Sequence, residues 1–279
     1  MVATRDIQLN DGRVVRAYDT GADAANAVTV LWHHGSPQTG ALLEPLITAA
    51  AERGIRLFSY GRPSYGGSSP LPGRNVASAA ADVAQIADAF GIARFAVMGA
   101  SGGGPHALAC AALLPERVTS AVCLAGIAPF TQDFDWFAGM TSEEGLRAAF
   151  KGRDARARYA EVAEFDVDSF IPADLEALAG GWSSLGADVG RANDAGPEGL
   201  IDDDVAFASP WGFDLADITA PVLLVQGGRD RIVPASHAKW LSRTCRRSEL
   251  WLRPDDGHIS ILNACPDAMD WLLASAGPR

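Results

Sequence analysis

The sequence predicts an α/β fold: a mostly parallel, twisted sheet with helices on both faces and an inserted helical lid. Three observations carry this prediction. Short apolar runs of strand length alternate along the chain with longer helix-like stretches. Several of these runs end in glycine-rich turns, as strands do where the chain turns into a helix. The alternation stops over residues 129–209 and resumes at 222, so one segment stands outside the sheet. Alternating strands and helices pair in parallel, because each crossover helix returns the chain to run the same way. Ligands then bind at the carboxyl ends of the strands.

The elements follow in order. Residues 7–9 and 14–18 are expected to form a hairpin around Asn10-Asp11-Gly12, a turn sequence that tolerates positive φ. Residues 28–32 read as a strand, 41–53 as a helix and 57–60 as a strand. An alanine-rich helix with one apolar face spans 77–90. A strand at 95–98, a helix at 106–114 and a strand at 118–124 complete the first half. The second half holds a strand at 222–226, a helix at 235–243, a strand at 249–252 and a helix at 266–274. Between the halves, 142–150 and 155–165 are helix-like, with Ser142-Glu143-Glu144 placed to cap the first. The chain is therefore divided into a first core segment (1–128), a helical lid (129–209) and a second core segment (210–279).

Chemistry concentrates at the strand ends. Gly99-Ala100-Ser101-Gly102-Gly103 lies between a strand and a helix, the context in which Gly-x-Ser-x-Gly presents a nucleophile. The turn is sharp, so the positions two before and two after the serine must be small. The following helix aims its N-terminal N–H groups and positive dipole end near the hydroxyl. Acyl transfer also needs two N–H donors aimed at the developing oxyanion. Gly102, after the nucleophile, supplies one. Ser36 in His33-His34-Gly35-Ser36-Pro37 supplies the other, since Pro37 has no N–H. Asp230 follows the strand Val222-Leu223-Leu224-Val225-Gln226 and two glycines; a carboxylate there can fix a histidine tautomer. His258, in Asp255-Asp256-Gly257-His258, follows the last strand and completes the order Ser, Asp, His. Asp255 and Asp256 compete with Asp230 for the acid role, but Asp230 has the better strand-end context.

These motifs, spread over most of the chain, resemble the α/β-hydrolase superfamily, in its serine-nucleophile, lidded, esterase-like form. The resemblance implies an α/β-hydrolase fold and a catalytic Ser101, Asp230 and His258, with an oxyanion hole at Ser36 and Gly102. It implies hydrolysis of a carboxylic ester or lactone through an acyl-enzyme. Residues 60–69, Tyr-Gly-Arg-Pro-Ser-Tyr-Gly-Gly-Ser-Ser, look like the family's glycine-rich loop, though many members carry an aspartate where this chain has Tyr60 or Gly61. A serine nucleophile separates the chain from relatives that use aspartate to displace at an alkyl carbon. Proline iminopeptidases are a second resemblance, through their acidic lids; their elbow and oxyanion loop commonly read Gly-Gly-Ser-Trp-Gly and His-Gly-Gly-Pro-Gly, unlike those here. A carbon–carbon bond hydrolase and a hydrolase-fold binding protein stay open as alternatives.

Composition agrees with an enzyme. A chain of 279 residues with 48% hydrophobic content buries a large core. The N-terminus lacks a signal-like apolar stretch, and no apolar run reaches the roughly 18 residues of a membrane span. The four cysteines are scattered, without metal-type spacing, so cytoplasmic residence is expected and no metal or cofactor is implied. Residues 129–209 hold 17 acidic and 6 basic side chains, and the rest of the chain 17 and 17, so the net charge of −11 sits on the lid. Nucleic acid and anionic membrane are poor partners for such a surface; a small-molecule substrate is expected, with the oligomeric state open. Most lid carboxylates should be exposed. For the substrate pocket, His34, Gly35, Ile127, Trp182 and Ile259 are the candidates, Trp182 because it follows Gly180-Gly181 within an aromatic-rich lid.

Overall fold

The computed structural model describes residues 2–21, 27–164 and 166–275. Its strands are β1 (Ala3–Gln8), β2 (Val14–Asp19), β3 (Thr29–His33), β4 (Arg56–Tyr60), β5 (Phe95–Ala100), β6 (Val118–Leu124), β7 (Val222–Gly227) and β8 (Ser248–Arg253). They form one sheet in the order β1-β2-β4-β3-β5-β6-β7-β8. The β1–β2 hairpin closes through Gly12 at φ 86°, as the Asp-Gly pair predicted. β2 joins β4 antiparallel, and every pairing from β4 onward is parallel.

The central strands are buried on both faces, which explains their unbroken apolar runs. Side chains alternate between two cores. Leu31 and Val97 pack into one, with Val83 and Ile86 of α2 (Ser78–Ala89), α3 (Gly103–Leu113) and Leu241 of α9 (Ala235–Thr244). Val30, Trp32 and Met98 pack into the other, with Leu46 of α1 (Glu44–Glu52) and Met269 and Leu272 of α10 (Cys265–Ser275). α3 is buried all round from Gly103 to Ala112. It carries small residues because it packs closely against the sheet and against α2.

That segment is helical and, among the described residues, holds no strand. It contains α4 (Glu144–Ala149), α5 (Arg153–Ala160), α6 (Pro172–Ala179), α7 (Ser183–Asp194) and α8 (Glu198–Ala208). Two expectations need correction. Ser142 does not cap α4; its hydroxyl donates to Asp166 at 3.2 Å instead. α5 stops at Ala160, short of the predicted 165, and Phe165 lies outside the described residues. Helices α6 to α8 escaped the sequence reading. α7 contains two glycines and much polarity, so its helicity comes from packing Leu185 and Ala192 rather than from propensity.

Candidate active site

The site is built from three loops at the carboxyl ends of β5, β7 and β8. Ser101 sits between β5 and α3 at φ 52°, in the left-handed region. The turn is so tight that a Cβ on Gly99 would lie 2.3 Å from the Gly103 carbonyl oxygen, and one on Gly103 would lie 2.1 Å from that of His33. Only glycine fits either place, which gives the expected smallness its steric cause.

His258 Nε2 lies 2.9 Å from Ser101 Oγ, and its Nδ1 lies 2.8 Å from Asp230 Oδ2. Asp230 is itself held: its Oδ1 accepts the N–H groups of Ile232 and Val233 at 2.9 and 2.8 Å. Its Oδ2 also accepts from Gln226 Nε2 at 3.1 Å. The imidazole therefore pairs with Asp230 and not with Asp255 or Asp256. Burial disfavours the imidazolium, but the charge and hydrogen bond of Asp230, with the charge of Asp174 added, hold the His258 pKa above its ordinary value.

Ser36 lies beside Gly102: a Cβ on Gly102 would sit 2.3 Å from Ser36 Oγ. Among the described residues no acceptor takes up the N–H of Ser36 or of Gly102. Both residues border the turn that carries Ser101 or the cavity above it.

Three buried aspartates of the helical segment reach down to the loops of the sheet. Asp203 of α8 accepts from Ser36 Oγ, from Tyr65 Oη at 2.9 Å and from Arg62 Nη2 at 2.7 Å, and pairs with Arg74 at 2.7 Å. Arg62 in turn donates to the His34 carbonyl at 2.5 Å and to Ser36 Oγ at 2.9 Å. Burial raises the Asp203 pKa, but Arg62 and Arg74 outweigh it and hold the carboxyl well below its ordinary range. Asp174 of α6 accepts the N–H groups of His258, Ile259 and Ser260 at 3.3, 2.8 and 2.8 Å. Gly257 permits that approach, since a Cβ there would stand 2.2 Å from Asp174 Oδ2. Asp188 of α7 accepts from Thr39 N and Oγ1 at 3.0 and 2.6 Å. The sequence reading missed all three. Most carboxylates of the segment are exposed as expected, but Asp174, Asp188, Asp202 and Asp203 are buried.

A cavity of about 850 Å³ opens over Ser101 and His258. Gly35, Ser36, Trp182 and Ile259 line it, as do Trp32, Leu178 and Leu185. His34 does not: its ring is buried and turned into the core, with Nδ1 against the Gly35 carbonyl and Nε2 accepting the Arg62 N–H. Ile127 is likewise absent from the lining, packed in the core beneath with Trp136 and Val233. Among the described carboxylates of residues 129–209, only the exposed Glu164 borders the cavity.

A serine, an imidazole and a carboxylate hydrogen-bonded in series at the strand ends of a mostly parallel sheet are the arrangement expected of an α/β-hydrolase. Residues 28–264 match the alpha/beta hydrolase fold family, and the chain belongs to it. It is 27% identical over 253 residues to a pimeloyl-acyl-carrier-protein methyl ester esterase of Nitrosomonas europaea, covering 88% of this chain and 96% of that protein. Its fold is similar to that of a thermophilic esterase from Thermogutta terrifontis, with a TM-score of 0.72 at 20% identity over 99% of this chain and 100% of the other. An enol-lactonase from Burkholderia xenovorans is also similar, with a TM-score of 0.71 at 18% identity over 97% and 99%. Among the described residues no helix is long and apolar enough to cross a membrane.

Proposed function

We propose that the protein is a serine hydrolase of a small-molecule carboxylic ester or lactone. The observation that carries this is the relay from Ser101 Oγ to His258 Nε2 at 2.9 Å and from His258 Nδ1 to Asp230 Oδ2 at 2.8 Å. The methyl ester esterase at 27% identity supports the same reading.

In this scheme His258 removes the Ser101 proton as the hydroxyl attacks the substrate carbonyl. The N–H groups of Ser36 and Gly102 receive the oxyanion. The imidazolium then protonates the leaving alcohol, and an acyl-enzyme remains. Water, deprotonated by His258, attacks that acyl group, and the imidazolium returns its proton to Ser101 Oγ as the acid is released. Asp230 keeps the imidazole in its tautomer and stabilises its cation throughout. The scheme uses no metal or organic cofactor. The segment 129–209 acts as the lid over a core of residues 1–128 and 210–279. The cavity wall argues for an ester over an N-terminal proline peptide, because a terminal ammonium would find Glu164 as the sole carboxylate among the described lining residues.

The test is turnover of p-nitrophenyl acyl esters of increasing chain length beside proline p-nitroanilide. Ester cleavage should fall by on the order of 10⁴- to 10⁶-fold in Ser101→Ala, with the fold intact by circular dichroism. Cleavage of the anilide alone, or ester cleavage unaffected by Ser101→Ala, would overturn the proposal.

A further inference from the structure

Among the described residues, Arg156 is the one permanent cation bordering the cavity over Ser101. It projects from α5 and is only 5% exposed. Its Nε donates to Asp204 Oδ2 at 2.6 Å, and its guanidinium carbon lies 5.6 Å from the Tyr159 ring centroid. Its Nη1 is buried and has no hydrogen-bond partner. Such a donor is uncommon: a buried guanidinium nitrogen left unpaired costs desolvation energy that a well-packed interior normally recovers with an acceptor.

The other buried arginines here are differently placed. Arg62 spends its donors on Asp203, Ser36 and the carbonyls of His34 and Gly35. Arg74 faces Asp203 from the other side of the same cluster; its Nε also lacks a hydrogen-bond partner, but it lies away from the cavity. Neither Arg62 nor Arg74 borders the cavity. Arg156 combines a fixed orientation, set by Asp204 on the Nε side, with an unused Nη1 and a place in the cavity wall. A guanidinium held on one side offers its remaining fork to a planar two-oxygen acceptor. The rest of the wall is largely apolar, with Leu178, Trp182, Leu185 and Val189 among its side chains.

We infer that Arg156 recognises a carboxylate on the substrate, so that the preferred esters or lactones carry an acidic group joined to the scissile bond by an apolar chain. The inference rests on the serine-hydrolase reading and names its substrate class. Asp204 supports the assignment: burial lifts its pKa to about 6 against the pull of Arg156, yet it stays ionised near neutrality and keeps the guanidinium aimed. The exposed Glu164 borders the same cavity and disfavours anions where it stands. The acidic group is therefore read at the buried Arg156 and not by the overall charge of the cavity.

The experiment compares kcat/KM for monomethyl esters of linear dicarboxylic acids, from succinate to suberate, with that for the dimethyl esters of the same acids. The wild-type protein should prefer the monoester at one or two chain lengths. Arg156→Gln should reduce the monoester-to-diester ratio roughly 10- to 100-fold, mainly through KM, and Arg156→Lys should restore part of it. Removing Arg156 leaves Asp204 unpaired, so the double variant Arg156→Gln/Asp204→Asn serves as the folding-safe form and should lose the same preference. A ratio unchanged in a folded variant, or no preference in the wild type, overturns the inference. Binding gives a readout without turnover: Ser101→Ala should bind glutarate, adipate or suberate by calorimetry, and Ser101→Ala/Arg156→Gln should not. If no ester is cleaved but that Arg156-dependent binding is present, the hydrolase reading fails while the carboxylate site stands. If esters are cleaved and no dicarboxylate binds, the site fails alone.

Discussion

Asp174 Oδ1 accepts both the backbone N–H of Ser260 at 2.8 Å and the Ser260 hydroxyl at 3.0 Å, which ties a helix of the inserted segment to the loop that carries His258. The same carboxylate takes up the N–H groups of His258 and Ile259. A segment that looks like surface in the sequence is thus part of the scaffold that aims the imidazole.

Asp174→Asn is expected to lower kcat roughly 10-fold with little change in KM, because all three N–H groups then face an amide nitrogen or a neutral oxygen. Steady-state kinetics with a short-chain ester measure this. A variant with unchanged kcat would show that the loop holds its geometry without Asp174.

Asp203→Asn removes the charge that two buried arginines share, and it should cost about 3–5 kcal/mol of stability by urea unfolding. The pH dependence has a definite sign. The folded-state pKa of Asp203 is lowered below the usual 3.8, so its stabilisation is complete above that value and is lost as the pH falls through the folded pKa. Acid unfolding of the wild type should therefore be steepest below about pH 4, and the variant should flatten that limb.

The pKa of His258 is raised above 6.5, and in the proposed mechanism the imidazole must be neutral to accept the serine proton. The acid limb of kcat/KM should therefore have its midpoint above 6.5. Asp230→Asn should move that midpoint down and cut kcat by on the order of 10⁴-fold. A midpoint below 6.5 in the wild type would contradict the pairing with Asp230.

Glycine at the elbow is sterically required, whereas a helical glycine such as Gly190 is not. Gly103→Ala would drive a Cβ to 2.1 Å from the His33 carbonyl oxygen, so the protein should be destabilised by about 3 kcal/mol or more, or fail to fold. Gly190→Ala meets nothing within 4 Å in the middle of α7 and should stabilise by up to about 1 kcal/mol. Thermal melts of the two variants test the contrast.

Much of this protein is local in its sequence. The sheet strands declare themselves as apolar runs because the central ones are buried on both faces, and the Ser101 turn declares itself because its backbone tolerates only glycine at 99 and 103. The positions of Asp230 and His258 after their strands are also sequence features, since each loop begins where an apolar run ends. Tertiary structure alone decided the rest. Asp202, Asp203 and Asp204 are adjacent and chemically identical, yet one pairs with Arg153, one with Arg62 and Arg74, and one with Arg156. No periodicity separates them, because their partners come from α5 and from the loop after β4, distant in the chain. His34 and Ile127 fell outside the cavity, and Arg156 fell on its wall, for the same reason. A side chain's type and its neighbours in sequence fix what it can do, whereas the packing of one segment on another fixes what it meets.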